Sequence, residues 1–186
     1  MNKNTQNNHQ RESHTMQTHK YAAQPRTQIV HIFTDGAASK IAPDQKTIVG
    51  GWGAIIVDSA SDTEIARLGG NDVAETIEQM ELEAVIQSLQ FVYERAQKKS
   101  TISSVYIFSD SMPVVEGLRE ILEYGFFHSK IDSRACNRKY WERLIEITRT
   151  LTRGENIGIS INHVRAHMNG KKRQRILQRG KANIPT

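Results

Sequence analysis

Three carboxylates sit at positions where a folded chain has reason to avoid charge. Asp35 closes the apolar run Ile29-Val-His-Ile-Phe-Thr-Asp35, Asp110 closes Val105-Tyr-Ile-Phe-Ser-Asp110, and Glu81 falls inside the apolar stripe of the segment between them. Removing a carboxylate from water costs several kcal/mol unless something positive pairs with it. An aspartate after a strand is common as a turn residue, but three acids converging from separate elements point to a shared cation. Hard oxygen donors with no cysteine and no histidine cluster beside them suit Mg²⁺ or Mn²⁺ better than Zn²⁺. Two such ions about 4 Å apart can stabilise both the attacking and the leaving oxygen of a phosphodiester. The pattern therefore predicts a metal-dependent enzyme. His163 and His167, four residues apart, could share a face for zinc, but that spacing alone is a weak signal.

The elements that must position these acids can be read from hydropathy. Ile29–Asp35 reads as a strand and Gly36–Lys46 as a loop. Val49–Asp58 is a second strand, with Gly50, Gly51 and Gly53 allowing close backbone approach, and Thr63–Gly69 a third. Thr76–Gln97 is a long amphipathic helix. At about 100° per residue, Ile77, Met80, Ala84, Val85, Leu89 and Val92 share an apolar arc with Glu81 near its centre. Glu83, Gln87, Gln90 and Glu94 form the polar face, so Glu81 and not Glu83 points at the sheet. Ser103–Ser109 is a buried strand, and Pro113–Tyr124 a helix with Ser111 as its N-cap. Tyr140–Thr152 is a further helix and Ile157–Val164 a fifth strand. The order β-β-β-α-β-α-α-β describes an α/β domain with a five-stranded mixed sheet flanked by helices. Asp35 and Asp110 would then emerge at one edge of the sheet, where α/β domains place their sites.

At 186 residues, 38% of them hydrophobic, the chain can bury one substantial core. Its single cysteine, Cys136, excludes an intrachain disulfide and fits a reducing compartment. No run approaches the roughly 20 apolar residues of a membrane span, and the N-terminus lacks the apolar region of a secretory signal. A cytoplasmic monomer is expected. Charge is unevenly spread. Residues 1–28 carry four basic and one acidic residue, residues 29–155 carry 14 basic and 19 acidic, and residues 156–186 carry seven basic and none acidic. An acidic body with basic flanks suits a polyanionic partner. Residues 1–28 are too polar to offset chain entropy and are expected to be disordered, while 169–186 read as a basic C-terminal segment.

The blocks IFTDGAA, GGWGAII, QMELEAVIQSL and IFSDSMPVVEGL, in this order and at these separations, resemble type 1 ribonuclease H, and Trp141 in KYWERL and His167 in NHVRAH extend the likeness across residues 29–168. Proofreading exonucleases of the same fold would place a Glu two residues after the first Asp, where this chain has Ala37. The resemblance implies a ribonuclease H-like fold and hydrolysis of the RNA strand of an RNA–DNA hybrid. Asp35, Glu81 and Asp110 would hold two Mg²⁺ ions, with Mn²⁺ as a substitute, and His167 would stand beside the scissile phosphate to assist proton transfer or product release. The hybrid would be recognised by shape, through 2′-OH groups on one strand and phosphates on the other. Gly36, Gly51, Lys139, Arg165, Lys171, Lys172 and Arg173 are the expected contacts to nucleic acid, and Trp141 is expected in the core.

Three departures from the family's pattern bear on this expectation. The family carries a fourth acidic residue about ten positions after the histidine, whereas no Asp or Glu here follows Glu155. Either the chain is a variant without that ligand or it stops inside an enlarged basic loop. Activity would then be reduced, and the alternative is an impaired or truncated module that binds hybrid or double-stranded nucleic acid. The family's Asn pair before the helix Glu is replaced by Ile77 and Glu78. The usual basic handle is thinner, with Tyr124, Phe126, Phe127, Lys130, Arg134, Arg138 and Lys139 in its place.

Overall fold

The computed structural model describes residues 27–40, 48–74, 76–98, 101–125 and 137–165. Five strands, β1 (Gln28–Lys40), β2 (Ile48–Asp58), β3 (Glu64–Ala74), β4 (Ile102–Ser109) and β5 (Gly158–His163), form one sheet in the order β3-β2-β1-β4-β5. The pairings β1–β2 and β2–β3 are antiparallel, while β1–β4 and β4–β5 are parallel. The helices are α1 (Ile77–Gln97), α2 (Met112–Tyr124) and α3 (Arg138–Arg149), the last continuing into a π-helical turn over Thr150–Gly154. α1 lies on β1 and β2, α3 packs on α1, and α2 packs on β5. The architecture is the mixed five-stranded α/β sheet that the sequence predicts.

Alternation along β1 builds the core. Val30 and Ile32 are fully buried with Ile56, Ile107, Leu82, Leu89, Leu118 and Leu144. The intervening His31 and Phe33 meet Tyr106 and Phe108 instead, with the Phe33 and Phe108 rings stacked at 5.0 Å. Strand side chains alternate between faces, so this aromatic group belongs to the other side of the sheet. α1 starts one residue later than the sequence suggests. Thr76 is its N-cap, in extended conformation, with Oγ1 accepting from the Gln79 N–H at 3.2 Å. That bond satisfies one of the four otherwise orphaned donors of the first turn.

Four expectations need correction. Gly36–Lys46 does not begin as a loop, because β1 continues to Lys40 and pairs with β2 from Asp35↔Gly53 to Lys40↔Ile48. The small residues after Asp35 resemble a turn, but β2 supplies a ladder for them. β3 likewise runs to Ala74 rather than stopping at Gly69, since Gly50 to Val49 pair with Asp72 and Val73. Ile77 is not part of the buried arc of α1 either. It is 55% exposed, whereas Met80, Ala84, Val85, Leu89 and Val92 are buried. Helix α3 begins at Arg138, two residues before the predicted start, with Trp141 buried as expected.

Candidate metal centre

Asp35 reaches the site because the two ladders of β1 end at different places. The parallel ladder with β4 stops at Phe33↔Phe108, whereas the antiparallel ladder with β2 runs on. Asp35 therefore lies within a strand rather than at its end, yet its β4 side is open. Asp110 directly follows the last residue of β4, and β1 and β4 run parallel, so both acids project at the same edge of the sheet. Glu81 approaches from α1. The three carboxylates bring ligand oxygens within 4.8 Å of one another.

Close approach of α1 depends on Gly36. A Cβ placed there would stand 2.5 Å from the backbone nitrogen of Glu81 and 2.8 Å from the carbonyl carbon of Met80. Both are backbone atoms that cannot swing aside, so glycine at this position lets the Glu81 turn dock on β1. The Gly36 N–H then donates to the Glu81 carboxylate. Gly51 has no such duty: a Cβ there would meet only the Gly70 carbonyl, at 3.8 Å.

Asp110 is fixed by its neighbours. Val164 N–H donates to the Ser109 carbonyl at 2.9 Å, and Ser111 N–H donates to Ser109 Oγ at 3.1 Å. The next hydrogen bond, from Val115 N–H to the Ser111 carbonyl, opens α2.

Electrostatics mark Glu81 as the group under tension. It is 6% exposed, and its Oε2 is buried with no hydrogen-bond partner among the described residues. Burial, then the Asp110 charge, push its carboxyl up to about 7; the Gly36 N–H opposes them and Asp35 adds a smaller push. Loss of hydration and like charge both disfavour the ionised form. A divalent ion relieves both causes at once. The donor set, three carboxylates with one oxygen left orphaned by burial, fits a hard cation such as Mg²⁺ or Mn²⁺.

The other predicted residues fall into two groups. Lys139 is exposed in the first turn of α3, with its Nζ 5.8 Å from the centroid of the Tyr140 ring, and Arg165 is exposed two residues beyond β5. His167, Lys171, Lys172 and Arg173 lie outside the described residues, as do residues 126–136 of the basic and aromatic stretch. The possible zinc pair therefore cannot be built from His163 alone, and no histidine joins the acidic group among the described residues. Sequence reasoning weighed His163 only for zinc and missed its contact with Asp110, whose carbonyl oxygen lies 3.2 Å from the ring Nε2. Only the register Ser109↔His163 reveals that contact.

Sheet order, helix placement and acidic edge together define an α/β domain of the ribonuclease H-like fold. Comparison with known proteins agrees. Residues 27–176 match the RNase H family, and the chain belongs to it. It is similar to the ribonuclease H of Treponema denticola, with 34% identity over 96 residues, 48% of this chain. That match spans only 57% of the Treponema protein's length. The ribonuclease H of Thermosynechococcus vestitus is 27% identical over 144 residues, covering 76% of this chain and 79% of its own. Among solved structures, LC11-RNase H1, isolated from compost by a metagenomic approach and crystallised with an RNA/DNA hybrid, has a TM-score of 0.54 at 15% identity. The likeness covers 76% of this chain and 89% of that one and is one of fold.

Proposed function

We propose that this protein is a divalent-metal-dependent endoribonuclease that hydrolyses the RNA strand of RNA–DNA hybrids. The observation that carries the reading is the meeting of Asp35, Glu81 and Asp110 within 4.8 Å, with a buried, unpartnered Glu81 oxygen among them. Membership of the RNase H family and the likeness to a fold seen bound to an RNA/DNA hybrid support it.

When bound, Mg²⁺ or Mn²⁺ would supply Lewis-acid polarisation of the phosphate and of an attacking water. The chain's own residues prepare for that. Asp35, Glu81 and Asp110 would hold the cations, and α1 and the sheet bring the three acids together without them. Preorganised charge of this kind costs no rearrangement during reaction. The Gly36 N–H orients the Glu81 carboxylate. Gly51, which packs against nothing that requires a glycine, leaves room for a nucleic-acid backbone, and Lys139 and Arg165 present charge to phosphates. His167 would serve as the proton carrier beside the scissile phosphate. The domain responsible would span 29–168, with 1–28 and 169–186 as polar and basic flanks.

A second reading is a module that binds hybrid or duplex with little cleavage. It is favoured by the charge of residues 156–186, which hold seven basic residues and no carboxylate. Cleavage of a hybrid labelled on its RNA strand, in Mg²⁺ and in Mn²⁺, separates the two. Under the first reading wild type cuts, and Asp35→Asn and Asp110→Asn each lose activity by orders of magnitude. Cutting that survives both substitutions would refute it. Salt-sensitive binding without cutting by wild type would favour the second.

A further inference from the structure

We propose that His163 is a positioning residue for Asp110, an inference that rests on the metal-dependent reading above. The ring nitrogen Nε2 of His163 lies 3.2 Å from the backbone carbonyl oxygen of Asp110. A carbonyl oxygen only accepts, so Nε2 carries a hydrogen and donates it. His163 is the last residue of β5 and stands opposite Ser109, the last residue of β4. The next residue, Val164, donates its N–H to the Ser109 carbonyl at 2.9 Å. The end of β5 thus captures two successive carbonyls, one by ordinary backbone pairing and the second by a side chain reaching past the end of the ladder.

The location of that second bond gives it a role. Asp110 has left β4 and has not entered α2, so its carbonyl lies outside both elements. The Asp110 carbonyl and the Ser111 N–H belong to one planar peptide unit, whose orientation helps set the direction of the carboxylate. Ser109 Oγ holds the N–H side of that unit, and His163 holds its carbonyl side, so the two bonds together fix the plane. His163 is itself exposed and buries no apolar surface in the core. Its bond therefore adds little to global stability, while any slackening of the Asp110 peptide is felt where three ligand oxygens must stay within 4.8 Å.

Calorimetric titration of the full chain with Mg²⁺ and with Mn²⁺ tests this, on wild type, His163→Phe and His163→Gln, with thermal midpoints measured in EDTA. Phenylalanine keeps the ring and removes the donor; glutamine places an N–H near the position of Nε2. A bond of ordinary strength corresponds to about a two- to tenfold loss of cation affinity. We expect that loss in His163→Phe with an unchanged midpoint, and recovery in His163→Gln. Wild-type affinity in His163→Phe, a glutamine variant as weak as the phenylalanine one, or a loss matched by a fall in midpoint would overturn the assignment. Absence of cation binding by wild type would overturn the metal-dependent reading and this inference together, an outcome distinct from the other three.

Discussion

Glu81→Gln should make the cation-free protein more stable at pH 8 while removing its response to Mg²⁺. The reasoning starts from a carboxyl pushed from an ordinary 4.5 up to about 7 by burial and by the charges of Asp110 and Asp35. Between those two values the folded chain keeps a proton that the unfolded chain has released. Stability therefore falls as pH rises through this window, and the full cost is present above about 7. At about 1.4 kcal/mol per pKa unit, the gap corresponds to a penalty of about 3 kcal/mol, as an order of magnitude. Glutamine has nearly the same shape, carries no charge, and keeps a carbonyl to accept the Gly36 N–H. Urea denaturation in EDTA should show the variant gaining on wild type between pH 5 and pH 8, with most of the gain complete by pH 8. Added Mg²⁺ should then raise the stability of wild type and leave the variant unmoved. A variant less stable than wild type at pH 8 in EDTA would refute the claim that this buried carboxylate is destabilising in the absence of a cation.

Gly36→Ala should lower stability by about 1–3 kcal/mol, the usual range for overpacking, and should weaken cation binding as well, because the clash is with the Glu81 backbone itself; denaturant midpoints together with a Mn²⁺ titration check it. Asp58 supplies the acid-side prediction. Hydrogen bonds, chiefly from the Gln28 side chain and then the Ser61 N–H, hold its carboxyl at about 2 against an ordinary 3.8. A depressed value means that this contribution is present above about pH 4 and is lost as pH falls through 2. Asp58→Asn should therefore flatten the stability loss in that window in an acid titration followed by circular dichroism, by about 1 kcal/mol after allowance for solvent screening.

The acids themselves could be found in the sequence because each breaks an apolar pattern, and a broken pattern is visible without coordinates. Glu81 in particular follows from the arc of α1, since Met80, Ala84, Val85 and Leu89 are buried around it. The readings that failed depended on partners distant in sequence. Nothing in Gly36–Lys40 says that β2 will extend the strand, so Asp35 reads as a strand end although it lies within β1. Ile77 fits the apolar arc by angle yet is 55% exposed, because angle alone does not specify what packs against a helix. Gly36 reads equally well as a contact for nucleic acid or for packing, and only the distance to the Glu81 nitrogen shows the packing role. The spacing of His163 from His167 points only weakly to zinc and gives no sign of the bond to Asp110, which arises from the register of β5 against β4.

Anomalous diffraction from crystals of the protein soaked in Mn²⁺ tests the central claim most directly. The account predicts density for the ion bounded by the carboxylates of Asp35, Glu81 and Asp110, and its disappearance in Asp110→Asn. A well-ordered lattice that shows no ion there at millimolar Mn²⁺, or shows one bound elsewhere and unaffected by that substitution, would contradict it.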